Sequence, residues 1–267
     1  MLPINVAIAG CTKNSESYIE NSINRILSWS KNFKTMNIFI FENDSQDNTI
    51  EVLKKNSNGI NIISEKNVMG SHTEVLAYAR NRLINNIWED TINYDYIIMV
   101  DLDDAVSTVD ATQIYECFTK YKSDWAALVG NSPLYYDIWA LRIRYALIKK
   151  QKSWKNEITT DCWQNVKRAV LGGMNYNQAV KKYVGSYQVP ISKDNKLIEI
   201  DSGFNGIGIY NTKYLDNCEY KGKTLVNGLI VDICEHVNFH FCIKKNGGKI
   251  YICSSLLTGG YEEHIVI

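Results

Sequence analysis

Three carboxylates occupy four positions at Asp101-Leu102-Asp103-Asp104, directly after the apolar run Ile97-Ile98-Met99-Val100. Carboxylates this close repel one another unless a cation or a set of donors lies between them. Their oxygens suit hard divalent ions such as magnesium or manganese, which keep room for a substrate's phosphates. A solvated acidic turn is the competing explanation. Glu42 and Asn43 follow the apolar residues 36–41, at a strand end where they can hydrogen-bond a base or ribose. Ser45 and Asp47 just beyond need no role other than turn and helix cap. Arg80, hemmed in by Tyr78, Ala79 and Leu83, offers a planar fork to a base carbonyl or a diphosphate. His236 and His240 stand four apart, a spacing that binds zinc when a third ligand joins, but the HExxH order of zinc proteases is missing. Two hydrogen-bonded histidines on an amphipathic helix are the plainer account of His240.

The elements that must position these groups alternate regularly in the first half. Apolar stretches predict strands over 6–9, 36–41, 60–64 and 97–100. Between them, periodic patterns predict a helix capped by Asn14 or Ser15 with Tyr18, Ile19, Ile23, Ile26 and Leu27 on its apolar face, then helices over 49–55 and 74–88. That rhythm implies a mostly parallel sheet flanked by helices, with ligands bound at the carboxyl ends of the strands. The second half is less regular. Helices are expected over 110–121 and 231–245, and strands over 126–130, 202–210 and 249–253. Residues 135–187 mix aromatic, basic and amide side chains without a clean period. The two glycines of Asp201-Ser202-Gly203-Phe204-Asn205-Gly206 allow a backbone to approach a ligand closely, or make a plain turn.

Composition narrows the class. The chain has 267 residues, 45% hydrophobic and 22% charged, with 29 basic and 29 acidic side chains. That balance is ordinary for a soluble globular protein and argues against a nucleic-acid partner. No export signal and no transmembrane stretch are expected, so the expected compartment is the cytoplasm. Seven cysteines without paired metal spacing are accordingly expected as reduced thiols.

Thr12-Lys13-Asn14 after the first strand, the turn at 42–47, Ala79-Arg80-Asn81 and Val100-Asp101-Leu102-Asp103-Asp104 together resemble the nucleotide-sugar half of GT-A fold glycosyltransferases. Further pieces at 135–142, Ser202-Gly203-Phe204 and Cys234-Glu235-His236-Val237 resemble the branch containing the capsule-associated mannosyltransferases of fungi and related proteins of microbes and large viruses. The resemblance implies one GT-A domain over 1–267, with a nucleotide-sugar half (1–105) and an acceptor half (106–267). It implies transfer of a sugar from a UDP- or GDP-linked donor to a hydroxyl of a glycan, with Mn2+ or Mg2+. Donor contacts would come from Thr12, Asn14, Glu42, Asn43, Arg80, Asp101 and Leu102. Asp103 would bind the metal directly, with Asp101 on the ribose or in the metal shell and His236 completing it; His264 is the rival. Glu235 or Asp232 would be the base, and Asp104, Asp137, Trp139 and Gly203 would face the sugars. Many inverting members carry two Asp residues where this chain has Glu42-Asn43, which leaves the base open. A nucleotidyltransferase would need a Gly-rich basic loop after the first strand, and Gly10-Cys11-Thr12-Lys13-Asn14 is poor in both glycine and arginine. A catalytically silent sugar-nucleotide-binding module is the other alternative.

Overall fold

The computed structural model describes every residue except 57, 58, 122, 123, 195, 227, 261 and 267. The first half builds the expected alternation: β1 (Leu2–Thr12), α1 (Ile19–Leu27), β2 (Phe33–Asn43), α2 (Thr49–Lys55), β3 (Ile60–Glu65), α3 (His72–Trp88) and β4 (Tyr96–Asp101). These four strands pair in parallel, with β1 between β2 and β4. The chain continues through α4 (Ala111–Thr119), β5 (Ala127–Asn131), β6 (Leu134–Tyr135), α5 (Tyr145–Ile148), α6 (Cys162–Leu171) and α7 (Tyr176–Tyr183). It ends with β7 (Val189–Pro190), β8 (Ile198–Ile200), β9 (Ile207–Asn211), β10 (Lys223–Val226), β11 (Leu229–Asp232), α8 (Glu235–Lys245) and β12 (Ile250–Leu257).

Both halves share one eight-stranded sheet of order β3-β2-β1-β4-β9-β5-β12-β8. Only β9 and β8 run against the rest. Helices cover both faces, which explains why β1 and β4 are apolar at consecutive positions. Val6, Ile8, Ile98 and Val100 bury against α1 and α4 on one face. Ala7, Ala9, Ile97 and Met99 bury on the other, with α3 and α8. The entry to α3 is fixed by its own sequence: Glu74 Oε2 accepts the Ser71 backbone N–H at 2.9 Å, the return arm of a capping box.

Four expectations need correction. The predicted strand over 202–210 is interrupted, because Asn205 and Gly206 take positive φ and make 201–206 a loop between β8 and β9. The predicted helix over 231–245 begins at Glu235; residues before it pair as β11 with β10, Leu225 opposite Ile230. Tyr18 and Leu27 lie on the exposed side of α1, since its core-facing stripe is the narrower Ile19-Ile23-Ile26. Cys218 and Cys242 form a disulfide that ties the segment before β10 to α8, so the expectation of seven reduced thiols fails for these two. Spacing alone does not reveal such a pairing. Among the described residues no helix is long and apolar enough to cross a membrane.

Candidate active site

A cleft of about 1040 Å³ opens at the carboxyl ends of β1 and β4. The register brings Cys11 of β1 beside Asp101 of β4. Gly10 makes the local geometry possible: a Cβ there would meet Leu102 Cγ at 2.6 Å. Leu102 is therefore packed into the core, and its flanking residues Asp101 and Asp103 both line the cleft. Asp103 Oδ1 accepts the Ala105 N–H at 2.8 Å. Lost hydration and the like charge of Asp101 push the Asp103 pKa up to about 6, although part of the side chain still meets solvent.

Beneath the acids lies a buried ion triad. Arg80 Nη2 donates to Asp101 Oδ1 at 2.9 Å and its Nε donates to Glu235 Oε1 at 3.0 Å. Its guanidinium lies over the Phe204 ring, 4.9 Å from the centroid. Arg80 and Glu235 are each 2% exposed, so α3 and the first residue of α8 are joined through charge in a dry place. Among the described residues Arg80 Nη1 and Thr12 Oγ1 are buried without a hydrogen-bond partner, two polar groups left for a ligand at the cleft.

Asp232, at the end of β11, contrasts with Glu235. It is exposed in the cleft, and its carboxylate accepts one bond among the described residues, from Ser71 Oγ at 2.7 Å. Burial raises the Glu235 pKa, opposed by Arg80. Asp137 also lines the cleft but is committed structurally: its two oxygens accept the Asn205 and Ala140 N–H groups, pinning the loop over 201–206. Trp139 lines the cleft with its indole N–H on Asp161 Oδ2 at 2.8 Å, stacked near His72.

Thr12, Arg80, Asp101, Leu102, Asp103, Asp137, Trp139, Asp232, Glu235 and His236 thus line one cleft. Asn14, Glu42, Asn43, Asp104 and Gly203 are not among its lining residues. Glu42 spends both oxygens on Ser45 N–H and Ser64 Oγ, and Asn43 donates to Asp44 Oδ2. Asn14 Oδ1 accepts from Gln46 N–H and thereby clips the first loop to the second. Gly203 packs against Ile200 and Tyr135, where a Cβ would meet them at 2.7 and 2.8 Å. Ser71, Phe204 and Trp163 line the cleft without being among the expected site residues. For Ser71 the signal was its place three residues before Glu74.

His236 is buried, stacked on Phe204 at 3.7 Å, and its pKa is pushed well below the usual value by burial and by Arg80. Both of its ring nitrogens are buried without a hydrogen-bond partner among the described residues. His264 lines the same cleft, and its charge acts on Asp103. His240 is structural: its ring nitrogens face Ser202 Oγ at 2.9 Å and Tyr210 Oη at 3.0 Å, and burial pushes its pKa down to about 3. Both buried histidines are neutral in the fold but take a proton near pH 6.5 when unfolded. Their stability is whole above that pH and is lost as pH falls toward 3, where the unfolded chain binds more protons. At pH 5 keeping His240 alone neutral costs roughly 2 kcal/mol. Melting curves between pH 7.5 and 5 should show the decline, and His240→Gln should flatten it; an unchanged slope would contradict this account.

No three His, Cys, Asp or Glu side chains form a metal cage among the described residues. The donor set still fits a divalent ion of the magnesium or manganese kind, which is held by one or two carboxylates together with substrate phosphates. Arg80 and the Ala105 N–H each engage one oxygen of Asp101 and Asp103 respectively.

Residues 8–174 match the model of glycosyl transferase family 2, and the chain belongs to that family. Among solved structures, Staphylococcus aureus TarS aligns over 96% of this chain at 14% identity, with a TM-score of 0.51 and 36% of that chain covered. A shorter TarS structure, residues 1–349, gives a TM-score of 0.49 with 59% of it covered. Glucosyl-3-phosphoglycerate synthase from Mycobacterium tuberculosis, in complex with Mn2+, UDP and phosphoglyceric acid, aligns over 80% of this chain at 12% identity, TM-score 0.41, with 58% of that chain covered. The chain therefore spans less than two thirds of the solved relatives it matches. No curated protein sequence matches it.

Proposed function

We propose that the protein transfers a sugar from a UDP- or GDP-linked donor to a hydroxyl of a glycan acceptor, with a divalent cation. One observation carries the proposal: Asp101, Asp103 and the solvent-open Asp232 line a single cleft with the unpartnered polar groups of Thr12 and Arg80. TarS is known in complex with UDP-GlcNAc, and the mycobacterial synthase with Mn2+ and UDP. The motifs at 135–142, 202–204 and 234–237 support a place beside the capsule-associated mannosyltransferases. In this reading residues 1–105 serve the donor and 106–267 mainly the acceptor.

Asp101 and Asp103 hold the cation, which when bound offsets the charge growing on the departing diphosphate. Thr12 and Arg80 hold the donor by their spare donors. Asp232 takes the proton of the acceptor hydroxyl as that oxygen bonds to the anomeric carbon and the carbon–oxygen bond to the diphosphate breaks, its electron pair leaving with the phosphate. This is a single displacement with inversion. Asp232 is preferred over Glu235 because Glu235 is sealed against Arg80. Asp232→Asn should lower kcat about 10²–10⁴-fold while leaving donor KM nearly unchanged. Steady-state kinetics on a panel of UDP- and GDP-sugars checks this; full activity in that variant would refute the assignment.

A further inference from the structure

Helix α6 presents a row to the cleft that the donor site does not use. Trp163, Gln164 and Lys167 all line it, and Trp163 and Lys167 are four apart on one helical face. Asp161 fixes that face. Its Oδ1 accepts the Trp163 and Gln164 N–H groups at 2.9 and 3.0 Å, while its Oδ2 accepts the Trp139 indole N–H. One buried carboxylate thus holds two tryptophans at the cleft, with Trp163 still 37% exposed. An indole that stays open in a cleft, on a rigid support, is a surface for the C–H face of a sugar.

The charge pattern adds chemistry. Lys167 is exposed at the cleft and forms no ion pair among the described residues, and α6 itself carries no acid. Asp101, Glu235 and Asp161 at the same cleft are paired with Arg80 and Arg142 instead. Gln164 Nε2 donates to the Asp232 backbone oxygen at 3.3 Å, so the first turn of α6 abuts the proposed base. Lys167 stands about one turn, roughly 5 Å, further along. A sugar bridging these points has its hydroxyl at Asp232 and a negative group at Lys167; the reverse placement would set two anions together.

We propose that Trp163 and Lys167 form an acceptor subsite for an acidic sugar, one bearing a carboxylate or a phosphate. The proposal rests on the transferase reading and names its acceptor class. Binding of methyl glucuronide, glucose 6-phosphate and methyl glucoside to the full chain tests it by titration calorimetry or ligand-observed NMR, with no need for turnover. At least one acidic sugar should bind about tenfold more tightly than the neutral one, and comparing the two acids separates carboxylate from phosphate. Lys167→Gln should reduce that preference to about twofold or less, and Lys167→Arg should restore it. Trp163→Ala should weaken acidic and neutral sugars alike. Equal affinities in the wild type, or a preference unmoved by Lys167→Gln, would overturn the subsite. Donor turnover in the same preparations separates the two readings. Turnover without acid preference refutes the subsite alone; acid preference in a protein inert to every donor supports the subsite and refutes the transfer.

Discussion

Asp103→Asn is expected to reduce sugar transfer about 10³-fold while leaving the ligand-free protein slightly more stable. The two effects have one cause. Asp103 and Asp101 repel each other, and this repulsion contributes to the raised Asp103 pKa. In the proposed reading a cation held by the two would convert that cost into binding, and removing one charge would remove most of the site. Asn keeps the oxygen that accepts the Ala105 N–H, so the turn survives. Relief of the repulsion should raise the melting temperature by about one or two degrees. A variant that transfers sugar normally, or one that unfolds, would contradict the assignment.

Arg80→Ala is expected to produce the largest loss of stability. Its guanidinium is the counter-charge for both Asp101 and Glu235, and the latter pair is almost wholly buried. Removing one partner of a buried ion pair typically costs about 3–5 kcal/mol, because the other charge is left without solvent or counter-ion. For a chain of this size that is on the order of 10 °C in melting temperature. Arg80→Lys should recover little, since a single ammonium cannot supply the two directed N–H groups that reach Asp101 and Glu235. Adding Glu235→Gln to Arg80→Ala should restore more than half of the loss, and a double-mutant cycle measures the coupling. Strictly additive losses would mean that the two side chains are not energetically joined.

The first half of the chain is readable because its signals are local. Consecutive apolar positions ending in Asp101 mark a strand covered on both faces, and the apolar period over 74–88 marks α3. The acceptor side depended on long-range pairing that composition does not encode. Asp232 was assigned to a helix, although Asn227-Gly228 between Leu225-Val226 and Leu229-Ile230 is a strong hairpin signal. Glu42 and Asn43 were read as nucleotide contacts from their place at a strand end. Chemistry at that place does not distinguish a ligand from the Ser45 and Ser64 groups that occupy Glu42. The Cys218–Cys242 bond was hidden because spacing says nothing about which thiols meet in space. Arg80 was noticed as a cation near the nucleotide, but its tie to Glu235 joins positions 155 apart and appears only in three dimensions.

The most direct test of the whole scheme is calorimetric titration of UDP and GDP into the full chain, with and without manganese. The account predicts that at least one nucleotide binds at least about tenfold more tightly with the ion present, and that Asp103→Asn abolishes the gain. Equal affinity in chelator and in manganese, or a gain that survives in Asp103→Asn, would contradict it.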